Sequence, residues 1–280
     1  MKTIKVLVIG AHPDDADLMF GGTAAGMIKN GHQVKFVSLT NGSAGHHIMK
    51  RKELAARRRI EADCSAAVIG LESYEILDID DGELTASLEN RDRVIKLIRE
   101  FAPDVIISNR LWDYHADHRA AAQLVQDAAY LVIVPSVCPD TEVSESNPIF
   151  MFSYDDFQRP YPFTPAVTVA IDDSVEAKKR MLDCHKSQFY EWLPWTMGHQ
   201  KIDAEKITLE EKYGFLEKGW LTKNRNQAEL YRGKLKEFYP EYKNFSYVES
   251  FELSEYGRQP EVGELAELFI ASREFSFRSG

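Results

Sequence analysis

Through its first 135 residues this chain alternates short, continuous apolar runs with segments of helical period, and no other feature restricts its fold so strongly. "IKVLVIG" (Ile4–Gly10) reads as a buried strand, followed by a helix over Leu18–Asn30. "GHQVKFVSLT" is a second strand, and Lys50–Ile69 a long helix stopped by Gly70. "YEILDID" is a short strand, Asn90–Phe101 a helix ending before Pro103, "PDVIISN" a further strand, and Ala116–Leu131 a further helix. Strands that alternate with helices form right-handed crossover units and a parallel sheet covered on both faces. The expected class is therefore α/β: a Rossmann-like, doubly wound, mostly parallel sheet with helices on both faces.

Beyond residue 135 the alternation weakens. "PIFMFS" and "TPAVTVAID" read as strands, and a helix begins near Ser174 and runs past His185. From 188 to 247 the composition turns aromatic and charged, with Trp192, Trp195 and Trp220, which suggests a helical insertion or cap. The expected organisation is one domain over 1–280: an α/β core to 187, the insertion over 188–247 and a C-terminal segment over 248–280.

Composition narrows the function classes. A formal net charge of −10 argues against a nucleic-acid binder, which needs a basic stripe to meet phosphates. The basic run "KRKELAARRR" reads as a solvated helix face. No apolar run is long enough to span a bilayer, and the Ile4–Ala11 run ends in His-Pro-Asp-Asp without a cleavage pattern. Cys64, Cys138 and Cys184 are odd in number and widely spaced, so they are read as free thiols of a cytoplasmic protein.

The chemistry concentrates in two places. Ligands of open α/β sheets bind beyond the carboxyl ends of the strands. His12, Asp14 and Asp15 follow the first strand directly, and "WDYHADHRAAA" follows the strand Val105–Ser108, so both reach that edge. His115 and His118 are three apart, on one face of a helical turn. Adjacent carboxylates repel unless a cation lies between them. Two histidines and a carboxylate with open positions form a catalytic Zn²⁺ set, and one aspartate can bind while its neighbour serves as base. The same set also describes a non-haem Fe²⁺ centre. "GGT" (Gly21–Thr23) is no phosphate loop; its glycines would let the helix pack closely.

"AHPDDADLMFGGT" resembles the first signature of the PIG-L-like (LmbE-like) zinc de-N-acetylases, and "DYHADHRAAA" resembles their second motif. "GHQVKFVSLTNGSAG", "RRIE", "DIDDGEL", "PDVIISN", "HKSQ" and "GELAELFI" follow the same pattern in order. The resemblance implies hydrolysis of an acetamide on an amino sugar, such as N-acetylglucosamine, or on a sugar-containing small molecule, by a zinc-activated water. It implies His12, Asp15 and His118 as zinc ligands, Asp14 as general base, His115 as oxyanion stabiliser or acid, and Asp117 as the carboxylate that orients it. Asp17 stands where the family has Glu, and Ala116 where it has Pro. Fold analogy adds a homo-oligomer.

Other residues are open between two readings. Arg58 either reaches a substrate hydroxyl or phosphate or is solvated, and Asp81 either accepts from a sugar hydroxyl or forms a turn. His185 is read as packed and Cys184 as buried structural cysteine. His46 and His47 line the pocket or form a polar loop, and the tryptophans stack on a sugar or pack. The rival to the enzyme reading is a catalytically silent sugar- or metal-binding protein on the same scaffold.

Overall fold

The computed structural model describes residues 2–198, 202–239 and 244–271, so 199–201, 240–243 and 272–280 of the expected insertion and C-terminal segment lie outside the described residues. Seven strands form one sheet: β1 (Lys5–Gly10), β2 (Gln33–Ser38), β3 (Ser73–Ile76), β4 (Val105–Ser108), β5 (Ile149–Ser153), β6 (Val167–Ala170) and β7 (Val248–Gly257). Their order is β3-β2-β1-β4-β5-β7-β6. The first five run parallel, with Val8 paired to Phe36 on one side and to Ile107 on the other. Strand order reverses between β1 and β4, which opens a crevice at their carboxyl ends.

Strand β1 is buried on both sides, as its unbroken apolar run requires. Val6 and Val8 join the core beneath α1 (Asp15–Lys29), α2 (Arg51–Ile69) and α5 (Val175–Cys184). Leu7 and Ile9 join the core beneath α3 (Leu88–Phe101) and α4 (Ala116–Leu131). Helix ends follow local chemistry. Gly70 adopts the left-handed conformation that closes α2, and the Ser87 hydroxyl accepts from Asn90 N at the start of α3.

Gly22 of α1 has a specific task. A Cβ on Gly22 would sit 2.7 Å from Ile171 Cδ1, so only glycine allows this approach. At the same point Gly22 and Thr23 N–H donate to the Glu249 carboxylate of β7, at 3.0 and 2.8 Å. Lys178 Nζ donates to Leu18 O at 2.7 Å and to Glu249 at 2.6 Å, completing a fully buried ion pair against the helix backbone.

Two elements differ from the sequence reading. Strand β7, from the C-terminal segment, inserts antiparallel between β5 and β6. The helix expected to run past His185 stops at Cys184, and a π-helical turn, Ser187–Trp192, follows. Short helices Leu193–Thr196, Leu209–Leu216, Thr222–Leu230 and Arg232–Phe238 lie within the expected insertion. Leu216 of the second joins Leu182 of α5 and Phe189, Tyr190 and Leu221 in one apolar cluster, and Ala228 and Leu235 of the last two join Val248 of β7 in another. Trp220 packs edge-on against Phe189, 5.0 Å between centroids. No helix among the described residues is long and apolar enough to cross a membrane.

The cysteine reading is corrected. Cys64 on α2 and Cys184 at the end of α5 form a disulfide, with Cα atoms 5.8 Å apart across 120 residues of sequence. Packing of α2 on α5 sets this proximity, which sequence spacing does not show. Cys138 is a free, buried thiol.

Candidate active site

The loops after β1 and β4 meet at the crevice and bring His12, Asp14, Asp15, His115, Asp117 and His118 together. His12 Nδ1 lies 3.1 Å from His118 Nε2. The Asp15 carboxylate is 3.7 Å from His12 Nδ1 and 3.5 Å from His118 Nε2. Asp15 is the first residue of α1, and its Oδ2 accepts from the backbone N–H groups of Ala11 and His12 at 2.8 and 2.9 Å. The strand end and the helix start thus fix this carboxylate from both sides. Two imidazole nitrogens and one carboxylate face a common point.

Behind each imidazole stands a further carboxylate. His12 Nε2 is 3.3 Å from Asp117 Oδ2 and 3.3 Å from Asp81 Oδ1, while His118 Nδ1 is 3.1 Å from Asp113 Oδ1. A carboxylate at the remote ring nitrogen fixes the tautomer and orientation of a metal-binding histidine. Asp113 is absent from the sequence reading. Its only signal there is its place two residues before His115, whose N–H its Oδ1 also accepts at 2.8 Å.

The charges follow from this crowding. Burial disfavours the His12 imidazolium, but Asp117, Asp81 and Asp15 outweigh it and push its pKa up to about 10. Burial likewise opposes a charge on His118, and Asp15 and Asp113 outweigh it in the raised direction. For Asp15, burial is overcome by His118, His12 and the two backbone donors, which hold it below the usual carboxylate range. His115 goes the other way, lowered by burial and by the neighbouring His12 and His118. The centre attracts positive charge, as a cation site must.

Asp14 turns away from Asp15, as the doubled aspartate requires. Its Oδ1 accepts from Arg58 Nη2 at 2.7 Å. Arg58, considered as a substrate contact or a solvated residue, is 2% exposed and also donates to Gly42 O at 3.4 Å. Its place on the inner face of α2 brings it beneath the Asp14 loop and not into solvent. Asp81 is buried beside His12 and accepts from Ala44 N at 3.2 Å.

Asp117 does not orient His115 through its carboxylate. That carboxylate accepts from Gly82 and Leu84 N–H, at 2.6 and 3.3 Å, and faces His12. The two residues meet instead through the backbone, because His115 caps α4 and its Nδ1 accepts from Asp117 N at 3.2 Å. Nε2 is then the ring nitrogen that carries hydrogen in neutral His115.

Asp17 is fully buried, where Ser65 Oγ and Tyr74 Oη (2.9 Å) donate to it and His185 Nε2 lies 3.2 Å away. His46 Nε2 lies 2.9 Å from Glu191, and its Nδ1 accepts from Ile48 and Met49 N–H. The rings of His46, His47, Trp195 and Trp192 stack in sequence, so their faces cover one another. Among the described residues, the donor groups that gather within 4.8 Å are His12, His115 and His118, and His12, Asp81 and Asp117.

A Rossmann-like sheet with a histidine–aspartate centre at its switch point defines a class of enzyme scaffold. The profile described as "PIG-L: GlcNAc-PI de-N-acetylase" matches residues 7–129, which span both motif loops. A diacetylchitobiose deacetylase of Thermococcus kodakarensis is 31% identical over 198 residues, covering 68% of this chain and 73% of that protein. The chain belongs to this PIG-L de-N-acetylase family. The structure of N,N'-diacetylchitobiose deacetylase from Pyrococcus horikoshii is similar at TM-score 0.69 and 25% identity, over 89% of this chain and 83% of that one. A 4-carboxy-2-hydroxymuconate hydratase from Pseudomonas putida KT2440 shares the fold at TM-score 0.69 and 20% identity, over 92% of this chain and 99% of that one. Since a hydratase shares the fold, the site must carry the argument about chemistry.

Proposed function

We propose that this chain is a zinc-dependent N-deacetylase that removes the acetyl group from an amino sugar or a sugar-containing small molecule in the cytoplasm. One observation carries the reading: His12 Nδ1, His118 Nε2 and Asp15 converge while each histidine leans on a carboxylate at its other nitrogen. This donor set fits a divalent metal, with His12, His118 and Asp15 as ligands and Asp81, Asp117 and Asp113 orienting the rings. When bound, the metal supplies Lewis-acid polarisation of the amide carbonyl and makes a water more acidic. Fe²⁺ suits the same donors.

The protein's own residues do the proton transfer. Arg58 anchors one oxygen of Asp14 and so fixes the direction of the carboxylate. Asp14 takes a proton from the attacking water and returns it to the departing nitrogen, so amide and water become amine and acetate. His115, kept neutral, donates its Nε2 hydrogen to the oxygen that gains charge. A silent binding protein has no use for an aspartate held apart from the metal ligands by a buried arginine.

The test is acetate release from a panel of N-acetyl amino sugars, with zinc-loaded, iron-loaded and chelated protein. Metal-dependent acetate is the expected result, and its rank order across the panel names the substrate. Metal bound at His12, Asp15 and His118 with no acetate from any sugar would sink the reading.

A further inference from the structure

The Cys64–Cys184 disulfide lies on the two elements that hold Asp17. Cys64 is solvent-exposed and Cys184 half-exposed. The next residue after each cysteine points inward: Ser65 donates to Asp17, and His185 lies 3.2 Å from it. Asp17 in turn sits in the first turn of α1, one helical step beyond Asp14 and Asp15. From the surface disulfide to the catalytic aspartates the path crosses one backbone step and one buried carboxylate.

We propose that Cys64–Cys184 is a thiol–disulfide exchange site that regulates the candidate centre: the disulfide clamps α2 to α5 and keeps Ser65 and His185 on Asp17, and its reduction loosens the start of α1. This regulatory role rests on the deacetylase reading for its consequence, though not for its geometry. In the exchange, the thiolate of a small thiol attacks Sγ of the exposed Cys64 and expels the Cys184 thiolate, which is protonated. A second thiol attacks the mixed disulfide and frees Cys64. Two protein thiols form, and two small thiols become one disulfide, a two-electron transfer. Cys64 is the more exposed of the two cysteines, so attack is placed there.

The clamp is not the only tie between these helices. Glu61 of α2 also accepts from Ser187 N and Oγ at 2.9 and 2.6 Å, in the π-helical turn just after α5, so the reduced protein keeps a second connection. Reduction therefore loosens the site and leaves the fold standing. A displacement on the order of 1 Å at a catalytic group costs up to about 10²-fold in rate, and the partial restraint here reduces that to roughly five- to tenfold.

The experiment compares the zinc-loaded wild type, oxidised with glutathione disulfide or reduced with a phosphine that is then removed, with the Cys64→Ala/Cys184→Ala variant. Thiols are counted after denaturation, and kcat/KM, Tm and zinc Kd are measured for each form. The proposal expects one free thiol in the oxidised protein (Cys138) and three after reduction. On reduction Tm falls by about 5–10 °C, kcat/KM falls roughly five- to tenfold and zinc Kd rises by a similar factor. The double variant matches the reduced protein and ignores the redox treatment. Three thiols under oxidising conditions, or equal kcat/KM and zinc Kd in both states, overturn it. If neither state releases acetate, the deacetylase reading fails on its own, and the zinc Kd still decides the clamp.

Discussion

Helix α1 touches two buried ionic clusters, one at its start and one in its middle, and they are built on opposite principles. In the middle, Lys178 and Glu249 meet with side chains 0% and 2% exposed, one charge of each sign, and their remaining hydrogen-bonding capacity is spent on helix backbone. At the start, Asp14, Asp15, Asp81, Asp113 and Asp117 face a single arginine and three histidines. The first cluster is complete in itself. The second carries an acid surplus that lifts the His12 pKa to about 10, so that a proton occupies the centre when no other cation does. A buried pair that closes its own charge balance holds structure together, whereas a buried cluster that leaves it open selects a ligand.

The sharpest way to break this contrast is Asp14→Asn. It should lower kcat by about 10²–10⁴-fold with zinc affinity kept, since it removes the base and leaves His12, Asp15 and His118 in place. Near-normal turnover in that variant would remove Asp14 from the mechanism. Lys178→Met should do the reverse. Stranding Glu249 in the core should cost about 3–5 kcal/mol of stability in denaturant unfolding, with zinc affinity unchanged. If it instead weakened zinc binding at unchanged stability, the two clusters would not be separable.

A smaller effect is expected for Asp113→Asn, which keeps size but loses the charge behind His118. Zinc Kd, measured by competition with a chelator, should rise about 10–100-fold. No change would show that His118 needs no such partner. A last effect concerns pH in the chelated protein. A histidine whose pKa rises from 6.5 unfolded to about 10 folded adds stability that is complete below pH 6.5 and lost as pH climbs through 10. Tm of the metal-free form should thus decline between pH 7 and 10, and the zinc-loaded form, with metal in place of the proton, should stay flatter. Parallel profiles would contradict the competition between proton and metal.

Much of the site was legible because its main residues follow strands directly. A loop after β1 and a loop after β4 must meet at the crevice once the parallel order is known, so His12, Asp14, Asp15 and His118 could be placed from sequence. Their supporting groups could not be. The bond from Arg58 to Asp14 depends on how α2 lies across the sheet, and the role of Asp113 depends on the ring orientation of His118. The strands were legible through β6, each as its own apolar run. Strand β7 was not, because its neighbours β5 and β6 lie some 80–100 residues earlier and share no pattern with it. The Cys64–Cys184 pair was hidden by its separation of 120 residues.

The position of β7 also sets the order in which the molecule can be finished during synthesis. β6 borders only β7 in the sheet, so residues 167–170 have no strand to pair with until 248–251 have left the ribosome. The same late strand supplies Glu249, the counter-charge for Lys178 and the acceptor for the α1 backbone at Gly22 and Thr23. The helix that presents Asp15 therefore waits, with an unmatched lysine beside it, for a strand whose Glu249 lies 227 residues beyond Gly22. A nascent chain halted at residue 240 holds both metal-motif loops and still lacks the strand that fixes the helix between them.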